Sequence, residues 1–180
     1  GKWYLEVVKK TIGNGSFFGI TTATNNNLFV DNNYVGKFVN DFGFRFSDYG
    51  TTTDAEGYST NASFTSLGTA QLVVGDILQI AVDYDNNKIW FGRNGTYYAS
   101  GNPATGANGI AIAANTDYFV GVTTQQNDVN VLNFGQDSSF AGNKTPQGNQ
   151  DSNDIGDFYY APPTGFLALC SANLPSVDVI

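Results

Sequence analysis

The sequence predicts an all-β domain, and three observations carry that prediction. Apolar and polar residues alternate in short runs. Clusters of Gly, Asn, Asp and Thr separate those runs. No long segment places apolar residues at the i, i+3, i+4, i+7 spacing of a helix face. Many short strands with such breaks close as a sandwich or a barrel.

Taken in order, "WYLEVV" opens the pattern. Trp3, Leu5 and Val7 share one face, and Tyr4, Glu6 and Val8 the other. Glu6 is expected on a solvated polar face. "GNGSFFG" (13–19) has the glycines of a phosphate loop but lies between strands and opens no helix, so a dinucleotide site does not fit. In "ILQIAVDY" (77–84), Leu78, Ile80, Val82 and Tyr84 alternate with Ile77, Gln79, Ala81 and Asp83. "DYDNNKI" then reads as strand, Asx turn and return strand, because Asx side chains bond their own backbone and tolerate positive φ. In "RNGT", Asn94-Gly95 is the type I′ hairpin signal. The two hairpins make a three-stranded meander. Within it Ile89 and Phe91 share a face opposite Lys88, Trp90 and Gly92. Trp90 is then either an indole covered by a loop or an open platform for a sugar or a protein partner.

"DYFVGVTT" and "VNVLNF" alternate in the same way. Residues 141–157, "AGNKTPQGNQDSNDIGD", carry almost no apolar side chain and form a long polar loop, functional or mobile. Pro162 and Pro163 fix an extended path, and "GFLALC" closes the sheet. The opening "GKWYLEV" reads as a strand already under way, as in a piece cut from a longer chain. Tyr58, Tyr97 and Tyr98 sit in or near loops.

Composition narrows the chemistry. Of 180 residues 41% are apolar and only 13% charged, with a net charge of −8 and 8 basic residues spread thinly. No basic stripe exists to neutralise phosphates, so nucleic acid is not an expected partner. No apolar run is long enough for a membrane span. Cys170 is a lone thiol, expected to be a small buried apolar residue. The chain has no His, which removes His-based nucleophilic triads and the commonest metal ligand. Fourteen of the sixteen acids are Asp, mostly in turns, and the two Glu are Glu6 and Glu56. Asp83, Asp85 and Asn87 start like an EF-hand loop, but Lys88 and Asn94 stand where Gly and Glu are required. No catalytic residue, cofactor or metal site is expected, although a Ca²⁺ site built from other loop Asp residues stays open.

The order of motifs resembles the SPRY domain, the core of the B30.2 family. "GKWYLEV", "GDILQIAVDYDNNKIWFGRNG" and "YFVGVTT…VNVLNFGQDSSF" follow the family's sequence of motifs, with Leu5 where it usually has Trp. "GDFYYAPPTGFLALCSANLP" is similar to the ending of SPRY-type domains in bacteriophage virion proteins. The resemblance implies a bent antiparallel β-sandwich, a lectin-like jelly roll, over residues 1–175. The polar loop 141–157 is then an insertion and 176–180 an exit linker towards a following domain. It implies a non-enzymatic binding module of a phage tail fibre or similar appendage, located in the virion. The partner is a host-surface glycan or protein, gripped by loops 24–34, 47–58 and 124–129. Candidate ligand residues there are Asp31, Asn32, Tyr34, Asp48, Tyr49, Gln125, Gln126 and Asn127, beside Trp90. The alternatives are a spacer or decoration domain packed against neighbouring virion subunits and, more weakly, a glycan-degrading enzyme. A trimer is expected only by analogy with phage fibres.

Overall fold

The computed structural model describes residues 1–11, 13, 15–22, 32–45, 56–68, 73–125 and 127–174. Among the described residues there are twelve β-strands, three short 3-10 turns and no α-helix. One sheet holds β1 (Lys2–Lys9), β6 (Ile77–Asp83), β7 (Lys88–Arg93), β8 (Thr96–Tyr97), β9 (Ile110–Ala111), β11 (Asn130–Asn133) and β12 (Leu167–Ala168). Its main order is β11-β1-β6-β7-β8, with β12 on β1 and β9 on β7. The other runs β10 (Tyr118–Thr124), β2 (Ser16–Thr22), β3 (Phe42–Arg45), β4 (Glu56–Thr60), β5 (Ser63–Gly68). The fold class is thus all-β with two sheets, as a β-sandwich requires.

Every pairing in the five-stranded sheet is antiparallel. A parallel pair lies in the other sheet. The closing strand expected from "GFLALC" shrinks to two residues, and β12 pairs parallel to β1, with Trp3 opposite Leu167 and Tyr4 opposite Ala168. Part of "GNGSFFG", read above as lying between strands, is itself the start of β2.

The chain forms two compact units. The first comprises Gly1–Val7, Gln79–Ile110 and Val131–Ile180. Its aromatic centre is Tyr4, Trp90, Phe158 and Phe166, packed with Ala81 and Ala168. Tyr4 meets Phe158 edge-on at 5.1 Å, and Trp90 meets Phe166 at 6.1 Å. Each ring of this size removes enough apolar surface to contribute a few kcal/mol, at about 25 cal/mol per Å². Cys170 is half-buried against this centre.

In the same unit the polar segment 141–157 is tied down by Asp151. Its carboxylate accepts from the backbone N–H of Asn153 (2.8 Å), Ile155 (3.1 Å) and Ala168 (2.8 Å) and from Asn173 Nδ2 (2.7 Å). Burial opposes ionisation there, but these donors outweigh it and hold the carboxyl below the usual range.

The second unit comprises Val8–Leu78 and Ala111–Asn130. Its sheet carries a row of three glycines across neighbouring strands, Gly121 opposite Gly19 and Gly19 opposite Gly43. The row leaves room for the Tyr34–Gly36 segment to lie directly on the sheet. A Cβ on Gly43 would sit 1.9 Å from the Val35 carbonyl oxygen, and one on Gly121 would sit 2.7 Å from Val35 Cγ2. Val35 is wholly buried, and its N–H donates to Thr123 Oγ1 at 3.0 Å.

Candidate functional site

The first unit contains an open groove of about 730 Å³. One wall is the β7–β8 turn with the 95–104 loop that follows; the other is Tyr160–Thr164. Its floor includes Gln79 and Tyr97.

The first wall starts at the predicted Asn-Gly hairpin. Asn94 (φ 49°) and Gly95 (φ 87°) adopt the positive φ that a type I′ turn needs, and Arg93 faces Thr96. The rest of the wall rests on Trp90. The indole is 2% exposed, and its Nε1–H donates to the Ala107 carbonyl at 2.8 Å. Gly101 and Gly109 approach the ring so closely that an added Cβ would lie 2.8 Å and 2.5 Å from it. Trp90 is therefore the loop-covered indole of the two readings, and the open-platform reading is corrected. Alternation along one strand assigns a face but carries no information about a loop, ten or more residues later, that folds back over it.

The second wall hangs on Glu6, and here the expectation of a solvated carboxylate is corrected. Glu6 is fully buried in β1, a strand whose residues from Tyr4 to Lys9 are all buried on both faces. Its oxygens accept from Tyr4 Oη–H (2.9 Å), Asn133 Nδ2 (3.3 Å) and the backbone N–H groups of Tyr159 (3.0 Å) and Tyr160 (2.7 Å). Burial pushes the Glu6 carboxyl above its usual range, and the four donors pull the opposite way without cancelling it. Gln79 extends the network, donating to Tyr4 Oη at 3.2 Å and accepting from the Gly95 N–H at 2.6 Å. One chain of hydrogen bonds thus joins both walls from beneath.

Tyr97 lies beside this network. Its hydroxyl is buried and has no hydrogen-bond partner among the described residues. Burial, and then the nearby Glu6 charge, push its ionisation far above the usual tyrosine range, so the group keeps its proton. The groove surface offers an amide (Asn102) and hydroxyl (Thr96, Ser100) groups together with tyrosine and proline faces (Tyr160, Pro162), while the buried Gln79 amide is engaged by Tyr4 and Gly95 beneath them. Such a surface can hydrogen-bond and stack against a polyhydroxylated ligand.

The loop candidates lie elsewhere, in the second unit. Tyr34 stacks on Phe17 with centroids 4.4 Å apart. Asn32 is exposed at φ 65°, and its carbonyl accepts from Lys37 Nζ at 2.8 Å. Gln125 and Asn127 are exposed. Their loop is fixed by Asp128, whose side chain is buried and accepts from Gly13 N–H (2.5 Å), Gly15 N–H (3.0 Å) and Ser16 Oγ–H (2.7 Å). Asp31, Asp48, Tyr49 and Gln126 lie outside the described residues. Of the 47–58 loop, Glu56–Tyr58 belong to β4 and are not loop at all. Tyr34 is bound to the same sheet as the 125–128 loop through Val35 and Thr123, whereas Trp90 belongs to the groove of the first unit. Sequence reasoning missed the groove itself. "RNGT" was visible as a hairpin turn and Pro162-Pro163 as an extended path, but nothing local brings together segments more than sixty residues apart.

An all-β chain with an open, neutral, hydroxyl- and amide-lined groove is the class that fold and site define. No family model and no curated protein matches the chain. Among solved structures it is similar to the SPRY domain of human HERC1, at 12% identity over 73% of this chain and 74% of that one, with a TM-score of 0.44.

Proposed function

We propose that this chain is a non-catalytic recognition module of a phage virion appendage that takes a host-surface glycan in the groove of its first unit. One observation carries the reading: the groove is surfaced by the Asn102 amide, hydroxyls, tyrosines and prolines, and its walls are held from below by Glu6 and Trp90. Rigid walls limit the ordering cost of binding a flexible saccharide. The resemblance of the motif order to SPRY domains, and of the tail to phage proteins, supports the binding role and the virion setting.

The test is a glycan array and host-cell binding assay with four variants. Tyr160→Ala and Asn102→Ala change the groove; Tyr34→Ala and Asn127→Ala change the loops of the second unit. The groove variants lose about tenfold or more in affinity, as expected when one stacking or hydrogen-bonding contact of 1–2 kcal/mol is removed. Binding that survives both groove variants and fails in the loop variants would move the seat to the 24–34 and 124–129 loops. A spacer role, with neighbouring virion subunits as partners, is favoured by a different observation: Val73, Val74 and Phe119 are each more than half exposed. Absence of all glycan and cell binding would favour it.

A further inference from the structure

We propose that the glycan carries an anionic group, a uronate carboxylate or a sulfate ester, and that a second cavity beside the groove receives it; this rests on the groove reading above. The second cavity measures about 320 Å³ and is lined by Lys2, Asp83, Asn86, Lys88 and the Ala104–Gly106 turn. Ala104 also lines the groove, so the two cavities share one edge.

The chain's charge makes this cavity unusual. Acids outnumber bases sixteen to eight, yet two of the eight basic residues line this one space. The carboxylate among them does not cancel both. Asp83 is 1% exposed, and its oxygens are occupied by Lys2 Nζ at 3.0 Å, the Asn86 N–H at 3.0 Å and Asn86 Nδ2 at 2.8 Å. The Lys2 side chain is 30% exposed, whereas its Asp83 partner is 1% exposed, so the lysine and not the carboxylate borders the open space. Lys88 Nζ donates to the Gly106 carbonyl at 2.6 Å, which leaves protons of an ammonium that carries three. The lining thus sums to two ammoniums and one satisfied carboxylate, a net +1 in a molecule of net −8.

The partition between the cavities is built to stay in place. Pro103–Thr105 form a 3-10 turn, the Asn102 side chain accepts from the Thr105 N–H, and Gly106 ends the turn at φ 75°. Lys88 fastens that turn to β7. A saccharide lying along the groove reaches the ammoniums over Ala104 with its ring on the neutral surface and its anion on the charged one. Lysine is a compact point charge without a fixed fork, so it accepts either anion.

The test compares three trisaccharides of one linkage: galactose, galacturonic acid and sulfated galactose. Amide chemical shifts of the intact chain are followed during titration. The anionic sugars shift Ala104, Thr105 and Gly106 as well as Thr96 and Ser100, and bind about tenfold more tightly than the neutral one at low salt; the advantage shrinks as the Debye length falls from about 10 Å to about 3 Å. Lys88→Gln abolishes the advantage, and Lys88→Arg retains it, which separates lost charge from a loosened turn. The uronate and sulfate arms decide which anion is preferred. Equal binding of all three sugars, or an advantage that survives Lys88→Gln, overturns the anionic proposal and leaves the groove reading standing. No shift at Thr96 or Ser100 with any sugar overturns both.

Discussion

Glu6 is a carboxylate with four donors and no exposed surface, and that combination fixes what a substitution does. In Glu6→Gln an amide N–H replaces one acceptor and meets a donor, leaving buried groups unpaired at about 1–3 kcal/mol each. The sign of the pH dependence follows from the raised ionisation. The folded state holds the Glu6 proton more tightly than the unfolded chain does, so the wild type loses stability as pH rises from the ordinary Glu range through the folded value. The variant carries no such loss. Its destabilisation in urea titrations is therefore expected to be larger near pH 5 than near pH 8. A pH-independent difference would show that burial at Glu6 is relieved by its donors. Nothing local marked this residue. A Glu alternating with apolar neighbours reads as solvated, and only the distant Asn133, Tyr159 and Tyr160 show otherwise.

At the scale of elements, the strands with strong local signals are where the sequence places them. β6, β7, β10 and β11 follow the alternating runs, and the Asx turn shows the expected side-chain-to-backbone bond, from the Asn86 N–H to Asp83, with a second from Asn86 Nδ2. β4 and β5 were not foreseen, because their Ser, Thr and Gly content resembles a loop, and β5 is largely exposed. The glycine row also escaped notice, since glycine in a strand normally reads as a bend or a break. Here it is a seat for another segment of backbone. Gly43→Ala puts a methyl group into the Val35 carbonyl, a collision that no rotamer change relieves. The expected cost is about 3 kcal/mol or more. Near-ultraviolet circular dichroism should register loss of the Tyr34–Phe17 stack in that variant. An unchanged aromatic signal and melting temperature would mean that the segment does not depend on the row.

For the molecule as a whole, all-β class and two sheets were legible, and the groove was not. The groove depends on β12 pairing with β1 and on Glu6 reaching Tyr159 and Tyr160, contacts separated by about 150 residues that no window of sequence contains. A different set of contacts, those of Asp83 and Asp151, contributes to the acid limit of stability. Asp83 and Asp151 are held below the usual carboxylate range by their donors, so each stabilises the fold above the ordinary Asp value. That contribution is lost as pH falls below about 4 towards the folded values. Asp151→Asn removes one of these contributions and places an amide among four donors. The variant should be less stable at pH 7 by about 2 kcal/mol, with a flatter decline below pH 4. Equal slopes for the two proteins in that range would exclude Asp151 as a source of acid sensitivity.

Glu6 grips the main-chain amides of Tyr159 and Tyr160, and Trp90 grips the main-chain oxygen of Ala107. Neither grip depends on which side chains the lips of the cleft display. Substitutions at lip positions such as Thr96 or Tyr160 therefore change the face that the cleft presents without cutting either anchor.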